Sequence, residues 1–305
     1  MTIRCAVTGI TGQVARSLAE RASHRRGIEV ILLGRPRLDL AVTRHIEQEL
    51  TATAPDVIVS AAAYTAVDKA ETDPVNAFAI NASAPEKVGK MAKKLGVPVI
   101  HLSTDYIFDG QKQGSYQEND PAAPINIYGR SKLEGEQRLA ESGAEHVILR
   151  TAWVYSPFGT NFLKTMLRLA GDCEEINVVA DQTGNPTSAL DIADAVLEIA
   201  HRLLISSDPD LRGIFHMAAQ GDANWAEFAA AIFEASQVAG GPFANVRPIA
   251  ARDYPVAARR PPNSRLDCSK LAATYQLQLP HWRSSVNAVT KRLVSAQART
   301  RRAVA

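Results

Sequence analysis

Residues 3–15, which read IRCAVTGITGQVA, give the clearest indication of the fold. Residues 3–7 are typical of a short buried strand, and a helix is predicted from the end of this stretch to about residue 20. The turn between them has the spacing G-x-x-G-x-x-A, in which Gly9 permits a tight turn and Gly12 lets backbone N–H groups approach a ligand. Because a helix N-terminus attracts anions, a pyrophosphate would rest there. The stretch therefore predicts a dinucleotide site, with an unliganded glycine turn as the alternative.

Strands and helices alternate through roughly the first 150 residues, which favours a parallel sheet with helices on both faces. The predicted strands after the first are residues 28–33, 56–60, 97–102 and 146–150, and the predicted helices are residues 43–53, 74–95 and 128–141. We therefore expect an α/β fold, a Rossmann-type doubly wound parallel sheet.

The pattern is looser after residue 152. We predict helices at residues 161–170, 189–204 and 225–238, strands at 176–180 and 213–217, and an irregular segment at 248–263. These elements predict an NAD(P)-binding domain at residues 1–152 and a smaller C-terminal α/β substrate-binding domain at residues 153–305. Residues 188–217 are expected to return to the first domain.

Composition excludes several classes of function. The 305 residues are 46% apolar and 22% charged, with a net charge of +2, so nothing points to nucleic acid as a partner. No apolar run has the length of a membrane span, and no signal peptide is expected. The three cysteines form no CxxC pair, which favours a reducing cytoplasm, no metal site, and a core position for Cys5.

The candidate catalytic pair is Tyr128 and Lys132. In a helix, residues four positions apart lie on one face, so the ammonium would sit near the phenol. We expect that charge to lower the pKa of Tyr128 towards neutral pH, as general acid–base catalysis requires. The alternative is an ordinary surface pair.

The end of the second strand bears on the choice of cofactor. In NAD-binding proteins of this fold, an acidic residue there bonds the ribose 2′-hydroxyl. Here the strand runs into Gly34-Arg35-Pro36-Arg37, and an arginine would pair with a 2′-phosphate. The sequence therefore predicts NADPH, with Asp39 near the adenine, and leaves NADH open as a second cofactor. The alternative is that both arginines face solvent.

Two polar residues have open interpretations. Thr104 follows the fourth strand, where its hydroxyl could bond a substrate carbonyl or merely cap the strand end. Asn81 lies within a predicted helix, an unfavourable position unless its side chain bonds something, so it either supports the site or faces solvent.

Eight segments together resemble the extended short-chain dehydrogenase/reductase superfamily and, within it, the dTDP-4-dehydrorhamnose reductases. They are residues 8–13 (TGITGQ), 61–71 (AAAYTAVDKAE), 101–110 (HLSTDYIFDG), 128–132 (YGRSK), 150–155 (RTAWVY), 161–169 (NFLKTMLRL), 181–187 (DQTGNPT) and 260–266 (RPPNSRL). The tyrosine–lysine pair and the glycine turn mark only the superfamily. The resemblance implies NADPH-dependent reduction of the C4 ketone of dTDP-4-dehydro-L-rhamnose, the last step of dTDP-L-rhamnose synthesis.

The resemblance also implies a role for each site residue. The catalytic residues would be Tyr128 as proton donor, Lys132, and Thr104. Cofactor binding is implied for Gly9, Thr11, Gly12, Gln13, Val14, Arg35, Asp39, Leu40, Ala62, Ala63, Tyr64, Thr65, Leu102, Tyr128 and Lys132. Substrate binding is implied for Val67, Thr104, Asp105, Tyr106, Tyr128, Trp153, Arg260 and Asn263. Arg260 and Asn263 could hold the diphosphate or brace a loop.

The sequence departs from the family pattern at two places. Ala15 replaces a frequent third glycine, which the turn tolerates. Some family members dimerise through a magnesium ion, but the matching positions here are Ser17 and Leu190, which cannot serve as those ligands. We therefore expect a monomer or a homodimer without that metal.

Two other functions stay open. The first is a sugar-nucleotide 4,6-dehydratase or 4-epimerase, although dehydratases have Thr-Asp-Glu where this chain has Thr104-Asp105-Tyr106. The second is a non-catalytic regulatory subunit like the methionine adenosyltransferase β subunit. Such a binding module needs no proton donor, so the Thr104, Tyr128 and Lys132 set favours an enzyme.

Overall fold

The secondary structure comes from a computed structural model that describes the backbone of residues 2–304 and the side chains of residues 2–299. The strands are β1 (Ile3–Thr8), β2 (Ile28–Leu33), β3 (Val57–Ser60), β4 (Val99–Thr104), β5 (His146–Thr151), β6 (Val154–Tyr155), β7 (Glu175–Val179), β8 (Thr183–Gly184), β9 (Thr187–Ser188), β10 (Gly213–His216), β11 (Ala219–Gln220), β12 (Ala223–Asn224), β13 (Asn245–Ile249) and β14 (Leu279–His281). The helices are α1 (Gln13–Ser23), α2 (Thr43–Thr53), α3 (Val67–Ala70), α4 (Pro74–Phe78), α5 (Ala84–Leu95), α6 (Ile127–Glu141), α7 (Phe162–Leu169), α8 (Ala189–Ile205), α9 (Trp225–Val238), α10 (Ser269–Tyr275) and α11 (Trp282–Val304).

The largest sheet within residues 2–304 has six strands in the order β10-β5-β4-β3-β1-β2. Every neighbouring pair in it is parallel. The direction of winding changes between β1 and β3, and a parallel sheet places its ligand crevice at the carboxyl ends of the strands at such a point. The predicted fold class, a Rossmann-type doubly wound α/β sheet, is confirmed.

Helices bury both faces of this sheet. Cys5 and Val7 of β1 pack with α1 and α8 on one face, whereas Ala6 packs with α2 and α5 on the other. Successive strand residues point to opposite faces, so a strand that is covered on both sides reads as a continuous apolar run. The thiol of Cys5 is fully buried, as expected of a core cysteine.

The chain after residue 152 builds a second apolar cluster, in which Tyr155, Phe228 and Trp282 are among the buried aromatic residues. Strand β10 also follows residue 152 in the chain, but it pairs with β5 at the edge of the large sheet. Strand β13 (Asn245–Ile249) overlaps the start of the segment predicted to be irregular, residues 248–263. Helices α10 and α11 and strand β14 had no sequence prediction. The division at residue 152 stays a prediction.

The predicted helix at residues 74–95 contains a π-helical turn at Ala79–Ser83, between α4 and α5. Asn81 lies in that turn and is fully buried. Its Oδ1 accepts a hydrogen bond from the Tyr64 N–H at 2.8 Å, and its Nδ2 donates to the Tyr64 carbonyl and to the Ser131 hydroxyl. The solvent-facing interpretation of Asn81 is therefore wrong. The side chain ties the loop after β3 to helix α6.

Helix α6 carries the candidate catalytic pair and begins after Asn126, whose side chain accepts a hydrogen bond from the Gly129 N–H at 2.7 Å. This is an N-cap, which satisfies a free N–H of the first turn. A Cβ atom at Gly129 would come within 2.1 Å of the Tyr106 carbonyl oxygen. Glycine is required there because the helix packs directly on the turn that follows β4.

A buried ion pair joins Glu136, one turn beyond Lys132 on α6, to Arg150 on β5. The Arg150 guanidinium donates to the Glu136 carboxylate at 2.8 Å, and the two side chains are 5% and 3% exposed. Replacing one partner leaves the other charge buried and unpaired, which costs about 3–5 kcal/mol. We expect Arg150→Met to lower the free energy of unfolding by about that amount, measured by urea denaturation.

The matched control is Arg247→Met. Arg247 and Glu175 form a longer, 3.8 Å pair in which both side chains are more than half exposed. Such pairs contribute under about 1 kcal/mol. A loss at Arg150 as small as the loss at Arg247 would contradict the structural role assigned to the buried pair.

Candidate active site

A cleft of about 720 Å³ opens at the carboxyl ends of the strands, next to the point where the sheet changes its direction of winding. This volume lies within the range of about 300–1,000 Å³ that is usual for small-molecule sites. Its walls are Thr8, Gly9, Ile10, Thr11, Gly12, Gln13, Val14, Ala15, Leu33, Gly34, Arg35, Leu38, Asp39, Leu40, Ala61, Ala62, Ala63, Thr65, Ile80, Leu102, Ser103, Tyr128, Lys132, Thr151, Val154, Gly159 and Thr160.

The glycine turn after β1 forms the floor of the cleft. Gly9 has a φ of +103°, a conformation that side-chain-bearing residues rarely adopt. Helix α1 starts at Gln13 with no side-chain cap and no acidic residue in its first turn. Its first N–H groups and the positive end of its dipole therefore face the cleft without a competing carboxylate, as a phosphate site requires.

Most of the predicted cofactor-binding residues line this cleft, and the exception is Tyr64. The backbone of Tyr64 is held by Asn81, and its hydroxyl donates to Asp73 at 3.0 Å. Tyr64 therefore braces the loop after β3 instead of forming a wall. The residues brought together are Gly9, Thr11, Gly12, Gln13, Val14, Arg35, Asp39, Leu40, Ala62, Ala63, Thr65, Leu102, Tyr128 and Lys132.

The two arginines after β2 differ in their surroundings. Arg35 is exposed and lines the cleft, whereas Arg37 does not line it and pairs with Glu49 at 3.0 Å. A guanidinium at the rim of the cleft suits a ribose 2′-phosphate. A second feature that suits a ligand is the hydroxyl of Thr151, which lines the cleft but is buried without a hydrogen-bond partner among the described residues.

Lys132 lies at the inner end of the cleft and is 2% exposed. Its Nζ donates to the Leu102 carbonyl oxygen at 2.6 Å and lies 3.3 Å from Nε2 of His101. Burial lowers the pKa of Lys132 to about 8, while the Glu136 carboxylate opposes that shift. Burial therefore brings the pKa of Lys132 close to the neutral range.

The pKa of Tyr128 differs in direction from the sequence expectation. Burial raises it to about 12, the Thr104 hydroxyl lowers it by hydrogen bonding, and the charge of Asp105 raises it. Lysine does not offset the burial because the Lys132 ammonium bonds the Leu102 carbonyl instead. The phenol therefore keeps its proton at neutral pH, which is the state that a proton donor needs.

Thr104 and its neighbours lie beside the phenol. The Thr104 hydroxyl accepts the Tyr106 N–H at 3.2 Å, so it does cap the strand end, and it also reaches Tyr128. Burial raises the pKa of Asp105 to about 7, which Ser264 and Thr104 oppose by hydrogen bonding. The ring of Tyr106 meets that of Tyr128 edge-on at 5.9 Å. These contacts bring Thr104, Asp105 and Tyr106 together beside Tyr128.

Trp153 lies outside the cleft walls and stacks on Trp225 with ring centroids 3.6 Å apart. Its φ is +47°, which is unusual for a bulky residue. Strained backbone of this kind persists where the surrounding structure imposes it, often at functional sites. Gly184 also lies against the indole, since a Cβ atom there would come within 2.5 Å of it, and sugar binding by Trp153 stays a prediction.

The other predicted substrate residues also lie outside the cleft walls. Arg260 forms a two-pronged ion pair with Asp68 of α3, with contacts of 2.7 and 3.2 Å. Asn263 donates to the carbonyl oxygens of Lys112 and Gly114. Both side chains thus brace loops in this structure, while a bond to a diphosphate stays a prediction. Val67 is half-buried at the first position of α3.

Sequence interpretation missed several walls of the cleft. Gly159 and Thr160 line it from a loop far along the chain. Gln13 holds that loop, since its Nε2 donates to the Val154 carbonyl at 3.2 Å and its Oε1 accepts from the Ser156 hydroxyl at 2.9 Å. No local sequence pattern predicts these contacts between distant residues. Ser103 also lines the cleft, and its position next to Thr104 at the end of β4 was a signal in the sequence that could have predicted this.

Ser17 and Leu190 are both buried, and the Ser17 hydroxyl donates to the Gln13 carbonyl at 2.8 Å. Among the described residues, no group of three or more His, Cys, Asp or Glu side chains could hold a metal ion. In the same part of the chain, no helix has the length and apolar character needed to cross a membrane.

Comparison with known proteins agrees with this geometry. The RmlD substrate binding domain family matches residues 3–295. The dTDP-4-dehydrorhamnose reductase of Sinorhizobium fredii is 52% identical over 96% of this chain and 97% of its own, and that of Escherichia coli K12 is 42% identical over 85% and 87%. A dTDP-4-dehydrorhamnose reductase from Bacillus anthracis, solved in complex with NADP, superimposes with a TM-score of 0.86 at 34% identity over 95% of this chain and 99% of its own. The chain therefore belongs to the RmlD substrate binding domain family.

Proposed function

We propose that the protein reduces the C4 ketone of dTDP-4-dehydro-L-rhamnose to dTDP-L-rhamnose with NADPH. The observation that carries this proposal is that Tyr128 and Lys132 line one cleft together with the glycine turn, with the Thr104 hydroxyl bonded to Tyr128 beside it. Two findings support it: relatives at 37–52% identity are dTDP-4-dehydrorhamnose reductases, and the Bacillus anthracis relative binds NADP.

Each catalytic side chain has a stated task in this mechanism. NADPH, when bound, supplies a hydride to C4 of the sugar. The Thr104 hydroxyl donates to the Asp105 carboxylate at 3.0 Å in this structure, and on substrate binding it would turn its hydrogen to the C4 oxygen and polarise the carbonyl. Tyr128, protonated at neutral pH, gives its proton to that oxygen as negative charge develops, which completes a hydroxyl group. Lys132, whose ammonium also bonds the Leu102 carbonyl, would donate to a hydroxyl of the nicotinamide ribose.

The remaining residues orient the two ligands. The N-terminus of α1 and the turn at Gly9 and Gly12 receive the pyrophosphate. Asp105, Tyr106, Trp153 and Val67 are assigned to the sugar side, where an aromatic face can pack against a pyranose ring. Holding hydride donor, ketone and phenol in one geometry accounts for much of the rate enhancement.

The Arg35 guanidinium is assigned to the 2′-phosphate of NADPH. We expect Arg35→Ala to raise KM for NADPH about 10- to 100-fold, the equivalent of one charge-assisted hydrogen bond, and to leave KM for NADH unchanged. Steady-state kinetics with both cofactors measure this. Arg37→Ala is the matched control, since Arg37 pairs with Glu49 outside the cleft. Equal losses with both cofactors would remove the 2′-phosphate role.

The function is tested with a panel of 4-keto-6-deoxy sugar nucleotides. NADPH oxidation is followed optically, and the configuration of each product is determined by NMR. We expect dTDP-4-dehydro-L-rhamnose to be the preferred substrate and dTDP-L-rhamnose to be the product. Release of tightly held NAD⁺ on denaturing the purified protein would favour a dehydratase or epimerase instead. No oxidation with any ketosugar, together with capture of a partner enzyme, would favour a regulatory subunit.

We also propose a cytoplasmic protein that is a monomer or a homodimer. The reducing compartment suits three free cysteines. The oligomeric state is measured by light scattering coupled to gel filtration, with and without magnesium. A dimer that dissociates on chelation would contradict the proposal that Ser17 and Leu190 rule out a metal-bridged dimer.

A further inference from the structure

The imidazole of His101 has no task in the mechanism above, yet it touches the catalytic lysine. His101 lies on β4 and is 1% exposed. Its Nδ1 is 3.1 Å from the Ser60 hydroxyl at the end of β3, and its Nε2 is 3.3 Å from Nζ of Lys132 on α6. One ring therefore links three elements of the fold behind the cleft.

Counting hydrogens assigns the tautomer of this ring. An ammonium group has three donors and no acceptor, so Nε2 of His101 must present a lone pair to Lys132. Nδ1 then carries the proton and donates to the Ser60 oxygen. A cationic imidazole would place two positive charges 3.3 Å apart inside the protein. Burial and the Lys132 charge hold the pKa of His101 well below its usual range, in agreement with a neutral ring.

The same count fixes the direction of the lysine. One N–H of Nζ goes to the Leu102 carbonyl at 2.6 Å and a second goes to His101. Among residues 2–299, no third acceptor contacts Nζ. Because the nitrogen is tetrahedral, two fixed bonds determine where the third N–H points, and Lys132 itself lines the cleft.

We propose that His101 is a positioning residue for Lys132. Its neutral ring, oriented by Ser60, and the Leu102 carbonyl hold two N–H groups of the ammonium, so the third is aimed into the cleft at a cofactor hydroxyl. The identity of that hydroxyl, on the nicotinamide ribose, rests on the function proposed above. The tautomer and the contact with Lys132 do not.

The direct test is NMR of protein labelled with ¹⁵N at the imidazoles of its seven histidines. His101→Gln assigns the resonances of His101. At pH 7 we expect a protonated Nδ1 and an unprotonated Nε2, and we expect Lys132→Met to shift the Nε2 resonance. A protonated Nε2, or an Nε2 resonance that Lys132→Met leaves unmoved, would overturn the proposal. This test needs no cofactor and no turnover.

The second test compares two substitutions of His101. The amide oxygen of Gln reaches about as far as Nε2 and can accept from Lys132, whereas Leu cannot. We expect His101→Leu to raise Kd for NADPH about tenfold, since a hydrogen bond to a charged group is lost, and His101→Gln to stay within about threefold of wild type. Fluorescence titration measures Kd, and thermal melting shows whether each variant folds.

His216→Gln is the matched control, because His216 is also fully buried but bonds the Tyr116 carbonyl and lies outside the cleft walls. We expect its Kd to match wild type. Equal losses in His101→Gln and His101→Leu, or an equal loss in His216→Gln, would mean a general structural effect and would overturn the positioning role. Wild-type protein that fails to bind NADPH would instead reject the proposed function, while the NMR result still reports the tautomer.

Discussion

Tyr128→Phe should lower kcat by about 10²–10⁴-fold while changing Kd for NADPH little, because only the proton donor is lost. The phenylalanine ring fills the same space and keeps the edge-on contact with Tyr106. In wild type, burial raises the pKa of the Tyr128 phenol to about 12, so the group is protonated throughout the neutral range. Removing its hydroxyl leaves the developing negative charge on the substrate oxygen without a proton. Steady-state kinetics and a cofactor titration measure the two quantities.

Tyr275→Phe is the control for loss of a buried phenol. Its hydroxyl donates to the Leu211 carbonyl at 2.5 Å, on the far side of the apolar core from the catalytic residues. We expect this variant to lose some stability and to keep its kcat. A Tyr128→Phe enzyme that turns over at the wild-type rate would show that another group donates the proton.

Lys132→Met should damage both steps, with kcat lower by about 10²-fold or more and Kd for NADPH higher by about tenfold. Methionine keeps the buried apolar stem, so the lost element is the ammonium that bonds the Leu102 carbonyl and faces the cleft. The double effect separates this residue from Tyr128, whose substitution spares binding. Unchanged affinity for NADPH in Lys132→Met would remove the ribose contact.

The same lysine makes cofactor binding depend on pH. Burial lowers its pKa to about 8, so the ammonium form prevails below pH 8 and the neutral amine above it. NADPH affinity should therefore be highest below pH 8 and fall as the pH rises through that value. His101 contacts the same ammonium, but its pKa is held well below its usual range, so the ring stays neutral here. The Glu136 carboxylate near Lys132 is paired with Arg150. The pH dependence should vanish in Lys132→Met, and its persistence there would assign it to another group.

The parts of this protein that were predictable from the sequence are those that local patterns encode. The apolar run before Gly9, the glycine spacing and the helix at Thr43–Thr53 each follow from nearest-neighbour chemistry. Helix α9 was predicted with its observed bounds, and Asn224 and Glu227 at its start form a capping box.

The remaining features depend on contacts between distant residues. The π-helical turn around Asn81 forms because its amide bonds the Tyr64 backbone and Ser131, and neither partner is visible in the local pattern. The rise in the pKa of Tyr128 also depends on distant residues. The four-residue spacing predicts that Lys132 is near, but it does not predict that the ammonium donates to the Leu102 carbonyl. Burial and competition for donors are properties of the folded chain.

The path of the hydride from NADPH to the sugar can be followed with deuterium. Wild-type protein is incubated with dTDP-4-dehydro-L-rhamnose and NADPH carrying deuterium at both positions of nicotinamide C4, and the product is analysed by NMR and mass spectrometry. We expect dTDP-L-rhamnose with one deuterium, located at C4 of the sugar. Unlabelled product, deuterium at another carbon, or no consumption of NADPH would contradict it.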